Sequence, residues 1–282
     1  MPYTKVDLHC HSNQSDGALS PDDLVSRAAE HGVELLSLTD HDTISGQQEA
    51  MVAAKKLGVH MVSGIELSCV WRNMTIHILG FNFDLANGVM AAAQEKQSKA
   101  RLQRARLISD RLLKKGLPDL FESAVSLSSS GIPGRPHFAQ IMLDAGIVSS
   151  HAEAFKKYLG AGKVGDVKSV WPELSEVLHW ICASEGDAVI AHPRKYTMSL
   201  TKLRDMIEEF KEFGGKGIEV ITSGQKQGEI GMLSDLCQRY ELLGSAGSDF
   251  HTPKYPWAEL GRIPSLPKSV EPIWKAWRPS LN

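Results

Sequence analysis

Side chains able to bind metal recur in this sequence in short groups. Asp7-Leu8-His9-Cys10-His11 stands near the start with Ser15-Asp16-Gly17 close behind, and Thr39-Asp40-His41-Asp42, Glu66 and His77 follow. Far down the chain come Ala191-His192-Pro193 and Gly247-Ser248-Asp249-Phe250-His251. His9 and His11 are two residues apart, so on a strand their imidazoles point to one face, about 7 Å apart at Cα, and both can bind one ion. Asp249 and His251 repeat that spacing. Mixed imidazole and carboxylate ligands suit zinc, manganese or iron better than calcium or magnesium alone. His9, His11, Asp16, His41, Glu66, His77, His192, Asp249 and His251 are too many for one ion, so the pattern predicts two or three ions sharing a bridging carboxylate.

The elements that must position these groups follow from periodicity. Lys5 to Leu8, Glu34 to Leu38, Val59 to Ile65 and Ile76 to Phe83 read as strands, with helices from Pro21 to His31 and Ser45 to Leu57 between the first three. Ser20 is an N-cap residue, Pro21 fits the first helical position, and Gly32 ends the helix. The strand rhythm stops after Phe83, and residues 88 to 170 read as a helical insertion. It returns with Ala188 to Ala191, Gly217 to Ile221 and Leu243 to Ala246, separated by helices from Leu200 to Phe213 and Gln225 to Tyr240. This is α/β logic with parallel strands closing a barrel, residues 1–87 and 171–282 forming the barrel and 88–170 a cap for substrate. The metal-capable groups sit at or beyond the predicted strand ends, the rim where parallel α/β folds build their sites. Ile263 to Asn282 reads as a strap packed on the domain.

A solitary histidine such as His31, His60, His151 or His179 reads as a surface or satisfied structural residue. The strand-end set does not, because burying so many polar groups together without an ion would be costly. Net charge is -2 and 42% of residues are hydrophobic, which fits a folded α/β chain and argues against a nucleic-acid coat or a membrane-surface protein. Cys10, Cys69, Cys182 and Cys237 form no CxxC pair, so reduced thiols in the cytoplasm are expected. No apolar stretch is long enough to span a bilayer.

An anionic substrate must then be gripped locally. On the helix carrying Leu102, Ala105, Ile108 and Leu112, a turn of about 100° per residue puts Arg101 within the apolar arc and Arg104 at its edge. An inward arginine needs an anionic partner. Arg135, between Gly134 and Pro136, is a second candidate, and Arg194, just after His192-Pro193, a weaker one. Arg106, Arg111, Lys114 and Lys115 show that the helix is generally basic, so a solvated face competes with substrate contact.

Together Asp7-Leu8-His9-Cys10-His11-Ser12, Ser15-Asp16-Gly17, Thr39-Asp40-His41-Asp42, Gly64-Ile65-Glu66, Ala191-His192-Pro193 and Gly247-Ser248-Asp249-Phe250-His251 resemble the polymerase and histidinol phosphatase (PHP) family. The insertion, with Ile132-Pro133-Gly134-Arg135-Pro136-His137-Phe138-Ala139, is most similar to its 3′,5′-nucleotide bisphosphate phosphatase subgroup, which resembles RNase AM and TrpH-type proteins. The resemblance implies a distorted (β/α)7 barrel with three Mn2+ ions, Fe2+ or Zn2+ being alternatives. It implies that His9, His11, Glu66 and Asp249 hold one ion, Glu66, His77 and His192 a second, and Asp16, His41 and His251 the third.

A metal-bridging hydroxide is then the expected nucleophile, with His41 or His251 supplying a proton to the leaving group and Asp40 orienting a ligand histidine. One phosphate on metal and another on arginine describe a nucleoside 3′,5′-bisphosphate, cut at its 5′-phosphate, or a short oligonucleotide degraded from 5′ to 3′. A monomer without a membrane partner is expected. Histidinol phosphate hydrolysis, amide or lactone hydrolysis, and a metal-stabilised nucleotide-binding module are the competing readings.

Overall fold

The computed structural model describes residues 3 to 277. Its opening segment follows the expected rhythm. β1 (Val6–Asp7), β2 (Leu35–Leu36) and β3 (His60–Met61) pair in parallel, joined by α1 (Pro21–Glu30) and α2 (Gln47–Leu57). Ser20 accepts a hydrogen bond from the Asp23 amide and so satisfies a free N–H of α1, with Pro21 in the first turn. The apolar faces of α1 and α2 meet over Leu24, Val25, Ala28, Ala50 and Ala54.

A second sheet contains β4 (Gly64–Trp71), β5 (Met74–Phe81), β6 (Asp187–Ile190), β7 (Gly217–Thr222) and β8 (Leu243–Gly247), in that order. Here the structure departs from the sequence reading twice. The strand expected over Val59 to Ile65 is split, because the chain crosses close to β2 at Gly64. A Cβ there would lie 2.1 Å from Ser37 Oγ and 2.6 Å from Leu38 O. The strands are also not all parallel: β4 pairs antiparallel with β5, and β5 with β6. The β4–β5 turn is Arg72-Asn73, both at positive φ. It is a two-residue turn without the glycine that usually marks one, which hid the hairpin in the sequence.

The two sheets join at both seams into a distorted barrel. At one seam Leu8 N donates to Ala246 O (2.9 Å) and His11 N to Phe250 O (2.8 Å). At the other, Asp42 N donates to Glu66 O (2.8 Å) and His41 bridges Glu66. Alternation along β4 and β5 sorts the side chains. Ile65, Leu67, Cys69, Ile76 and Ile78 face the outer helices α7 (Leu174–Ala183), α8 (Leu200–Glu212) and α9 (Gln227–Tyr240), while Glu66 and His77 face inward. Leu8, Leu35, Leu79, Phe81 and Val189 fill the barrel floor with Ile273 and Trp277 from the tail. Trp277 Nε1 also donates to Asp187 (2.6 Å). The tail thus packs as a strap as far as Trp277, and its last five residues lie outside the described residues.

The helical stretch begins with α3 (Gly88–Leu113), followed by α4 (Phe121–Leu127), α5 (Arg135–Asp144), α6 (His151–Ala154) and a π-helical turn, Phe155–Leu159. Met90 and Ala93 still pack in the barrel's outer cluster, whereas Ala105, Ile108, Leu112, Phe138, Met142 and Leu159 build a separate core. α3 is therefore a rigid arm rooted in the barrel. Among the described residues no helix is long and apolar enough to cross a membrane.

Candidate metal centre and arginine pocket

Strand geometry alone explains why Glu66 is central. Glu66 lies opposite Leu79 and Ser68 opposite His77, so Glu66 and His77 are diagonal neighbours on the inner face. His77 belongs to an antiparallel strand, so its early residues reach the same rim as the C-terminal ends of the parallel ones. Glu66 Oε1 sits 2.9 Å from His77 Nδ1 and 2.9 Å from His192 Nε2. Its other oxygen is 2.9 Å from His41 Nδ1 and 3.3 Å from the Nε2 atoms of His9 and His11. Five imidazoles converge on one buried carboxylate.

The remaining ligand candidates close the cluster. Asp249 Oδ1 lies 3.2 Å from His11 Nε2 and 3.5 Å from His9 Nε2, and Asp16 Oδ1 lies 3.4 Å from His251 Nε2. All nine candidates are thus brought together. Their donor atoms form overlapping sets: His11, Asp16, His41 and His251; His9, His192 and Asp249; His9, His11 and Glu66; and His41, Glu66 and His77. These sets cut across the three groups that the family resemblance implies, placing His11 with Asp16 and His192 with His9.

The residues fit bound ions by two observations. His9 Nε2, both nitrogens of His11, His41 Nδ1, His192 Nδ1, Asp16 Oδ1 and Glu66 Oε2 are buried without a hydrogen-bond partner. Each such atom costs about 1–3 kcal/mol unless something satisfies it. The protonation states of five of the nine also suit ligation. Burial, helped by His251 and His41, lowers His11 to about 3, and burial lowers His77 to about 4. Burial alone would raise Glu66, Asp16 and Asp249, but facing histidines, and Lys195 beside Asp249, hold all three far below the ordinary carboxylate range. At His251 burial opposes the charge, yet Asp16 outweighs it and lifts the group to about 9. Ionised carboxylates and neutral imidazoles are the ligand forms, so these three carboxylates, His11 and His77 are ready to ligate, whereas His251, and His9 and His41, where burial is outweighed by facing carboxylates, would each release a proton as an ion binds.

Supporting residues hold the ligands in place. Glu219, fully buried on β7, accepts from or faces His9 Nδ1 at 2.9 Å and receives the His192 amide at 2.6 Å. Sequence reasoning missed it, although a lone acid inside Gly-Ile-Glu-Val-Ile-Thr was a signal that the strand turns a carboxylate inward. Asp7 receives the amides of Ser248 and Gly261 and ties the first strand to the last. Asp40 does not orient a histidine. Its carboxylate accepts from Ser12 N (2.8 Å), Ser12 Oγ (2.6 Å) and Ser15 Oγ (2.6 Å), fixing the loop that carries Asp16.

Beyond His41, a cleft of about 210 Å³ leads to Asp42 and Arg101. Arg101 Nε donates to Asp42 (2.6 Å), and the guanidiniums of Arg101 and Arg104 lie 5.5 and 5.1 Å from the ring centroid of Trp171. Arg104 was expected at the edge of the helix's apolar arc but is buried (6% exposed), because Trp171 covers that flank. It donates to Val167 O (2.9 Å), and Arg135 donates to Leu159 O (3.2 Å). Of the three, only Arg101 pairs directly with a carboxylate among the described residues. Burial, then the neighbouring Arg135 and Arg101, pulls Arg104 well below its ordinary value, and burial lowers Arg135 also. Arg194 lies elsewhere: it faces Glu229 on α9 (3.4 Å), while Lys195 turns to Asp249.

A barrel rim that gathers imidazoles around a shared carboxylate defines a metal-dependent enzyme centre. The family model for the PHP domain matches residues 7–223, and the chain belongs to the PHP-domain family. A 5′-3′ exoribonuclease from Haemophilus influenzae is 42% identical over 96% of this chain and 98% of its own length. A 3′,5′-nucleoside bisphosphate phosphatase from Chromobacterium violaceum is 37% identical over 96% of this chain and 95% of its own. A solved structure of an amidohydrolase from Chromobacterium violaceum, with bound sulfate and no metal, superposes with a TM-score of 0.90 at 37% identity, covering 96% of this chain and 95% of that one.

Proposed function

We propose that the chain is a phosphoesterase that cleaves nucleoside 3′,5′-bisphosphates and removes nucleotides from the 5′ end of short RNA. The observation that carries this reading is a crowded metal cluster beside an arginine pocket short of negative charge. His9, His11, Asp16, His41, Glu66, His77, His192, Asp249 and His251 would hold the ions, with manganese, three per chain, as the proposed complement. Bound there, divalent ions supply positive charge to phosphoryl oxygens and lower the pKa of water. The residues of the chain do the rest. Arg101, Arg104 and Arg135 hold a second phosphate by charge-assisted hydrogen bonds, and Trp171 backs two of them as an apolar wall. His251, its side chain 30% exposed against 13% for His41, is the more open of the two proton-donor candidates. We further read residues 88–170 as the substrate cap, and the protein as a cytoplasmic monomer.

One binding register serves both activities. Removal of a nucleotide from a 5′ end breaks the phosphodiester on the 3′ side of that nucleotide. The 5′-phosphate then rests on the arginines and the 3′-side phosphorus on the ions. This register differs from the sequence-based expectation of 5′-phosphate cleavage, and the products separate the two: adenosine 3′,5′-bisphosphate yields 5′-AMP in one case and adenosine 3′-phosphate in the other.

The test is phosphate release by manganese-loaded protein from adenosine 3′,5′-bisphosphate, 5′-AMP and histidinol phosphate, with Arg135→Ala alongside. The expected result is strong preference for the bisphosphate, lost in the variant. Equal or absent turnover of all three removes the substrate assignment and directs the search to amide substrates.

A further inference from the structure

Tyr255 and Trp257 present an aromatic surface that neither the metal centre nor the core uses. Trp257, 64% exposed, is the most exposed large hydrophobic side chain among the described residues, and Tyr255 is 41% exposed. Their rings stack with centroids 4.9 Å apart and 29° between planes. The backbone that carries them is held by turns: Tyr255 N donates to Thr252 O (3.2 Å) and Ala258 N to Tyr255 O (3.0 Å). Tyr255 follows His251 by four residues. The stack is therefore anchored to the rim that holds the metal ligands.

A cavity of about 700 Å³ is lined both by Asp16 and His251 of the cluster and by Tyr255 of the stack. Its walls include Leu127, Phe155, His137 and Lys254. The volume falls in the range of about 300–1,000 Å³ typical of ligand sites. The cavity shares no lining residue with the cleft at Arg101, which leaves the cluster by way of His41, and it meets the arginines at Phe155, whose ring centroid lies 5.8 Å from the Arg135 guanidinium. A phosphodiester at the ions has two substituents, and two of the cavities among the described residues open from the cluster.

We infer that this cavity and the Tyr255–Trp257 stack receive the strand on the 3′ side of the bond that is cut: the P–O3′ bond breaks, the first nucleotide departs through its 3′-oxygen, which takes up a proton, and the bases of the next one or two nucleotides, which keep the phosphate, rest here. The inference rests on the phosphoesterase reading and its register. With the first nucleotide committed to the arginine pocket, this cavity is left for the rest of the strand. Apolar walls and a stacked aromatic pair suit bases, which stack on such rings without regard to sequence, and Lys254 meets the phosphates between them. Only an unpaired strand can splay its bases onto such a surface, so the platform selects single-stranded RNA. A nucleoside 3′,5′-bisphosphate has no nucleotide beyond its 3′-phosphate and uses none of it.

The test compares the full-length parent with Tyr255→Ala/Trp257→Ala and with Tyr255→Phe/Trp257→Phe on two substrates, adenosine 3′,5′-bisphosphate and a 5′-phosphorylated single-stranded hexaribonucleotide. In parallel, fluorescence anisotropy measures binding of a 3′-labelled hexamer in calcium without manganese. The alanine pair is expected to raise KM for the hexamer and weaken its binding by about tenfold or more, with bisphosphate turnover unchanged. The phenylalanine pair keeps both rings and should restore hexamer binding. Equal losses on both substrates would overturn the inference, as would unaltered hexamer binding or no hexamer binding by the parent. Failure of the phosphoesterase reading shows separately, as a parent that releases neither phosphate from the bisphosphate nor nucleotides from the hexamer.

Discussion

The histidine cluster and the arginine pocket both bury charge, and they do it in opposite ways. The cluster mixes signs: buried carboxylates sit among imidazoles, and Glu66 touches five of them. The pocket carries an excess of positive charge: Arg101 pairs with Asp42, while Arg104 and Arg135 have no direct carboxylate partner among the described residues. A mixed cluster is built to retain its occupant, because each ligand is positioned by the others and by Glu219. A pocket with unbalanced positive charge is built to capture a transient anion, since the repulsion that Asp42 leaves is relieved while the anion is present. The difference separates resident ions from passing substrate.

Breaking the retained side should have the largest effect. Glu66→Gln removes the carboxylate common to the cluster, and we expect a loss of bound metal, read by elemental analysis, together with a fall in kcat of roughly 10³-fold or more. Normal metal content in this variant would contradict the shared-ligand role. On the capture side, Arg104→Met keeps the packing against Trp171 but removes the charge. We expect kcat/KM for the bisphosphate to fall by about 100-fold, with metal content and p-nitrophenyl phosphate turnover little changed.

Glu219→Gln sharpens the contrast from behind the ligands. It keeps the volume but weakens the hold on His9, and metal affinity measured by competition with a chelator should fall by about 10- to 100-fold. The smallest effect is expected for Arg194→Ala, within about threefold on either substrate, because that side chain is half-exposed against Glu229. A loss as large as that of Arg104→Met would place Arg194 in the pocket after all.

The ligand set was legible because chemistry marked it: histidines and acids at two-residue spacing stand out against apolar strands. Their arrangement was less so. His77 reaches the rim only because β5 runs antiparallel, and the Arg72-Asn73 turn that reverses it has no glycine to announce it. The role expected of Asp40 falls to Glu219, which carried no expectation, since which carboxylate backs a histidine depends on how neighbouring strands register, and periodicity within one strand cannot report that. Arg104 likewise owes its burial to Trp171, 67 residues away in sequence. The helical insertion was visible as an interruption of the strand rhythm. That its first helix starts inside the barrel's own cluster was not, because one amphipathic helix can serve two cores in succession.

The seam between the first and last strands carries a consequence for biogenesis. His9 and His11 come from the start of the chain, Asp249 and His251 from near its end, and backbone hydrogen bonds across that seam bring them together. Synthesis proceeds from the N-terminus, so the early histidines leave the ribosome long before the partners that complete their ion sites. A growing chain short of residue 251 cannot assemble the cluster. Catalytic competence therefore waits until residue 251 has left the ribosome, and no shorter nascent chain can hold the complete set of ligands.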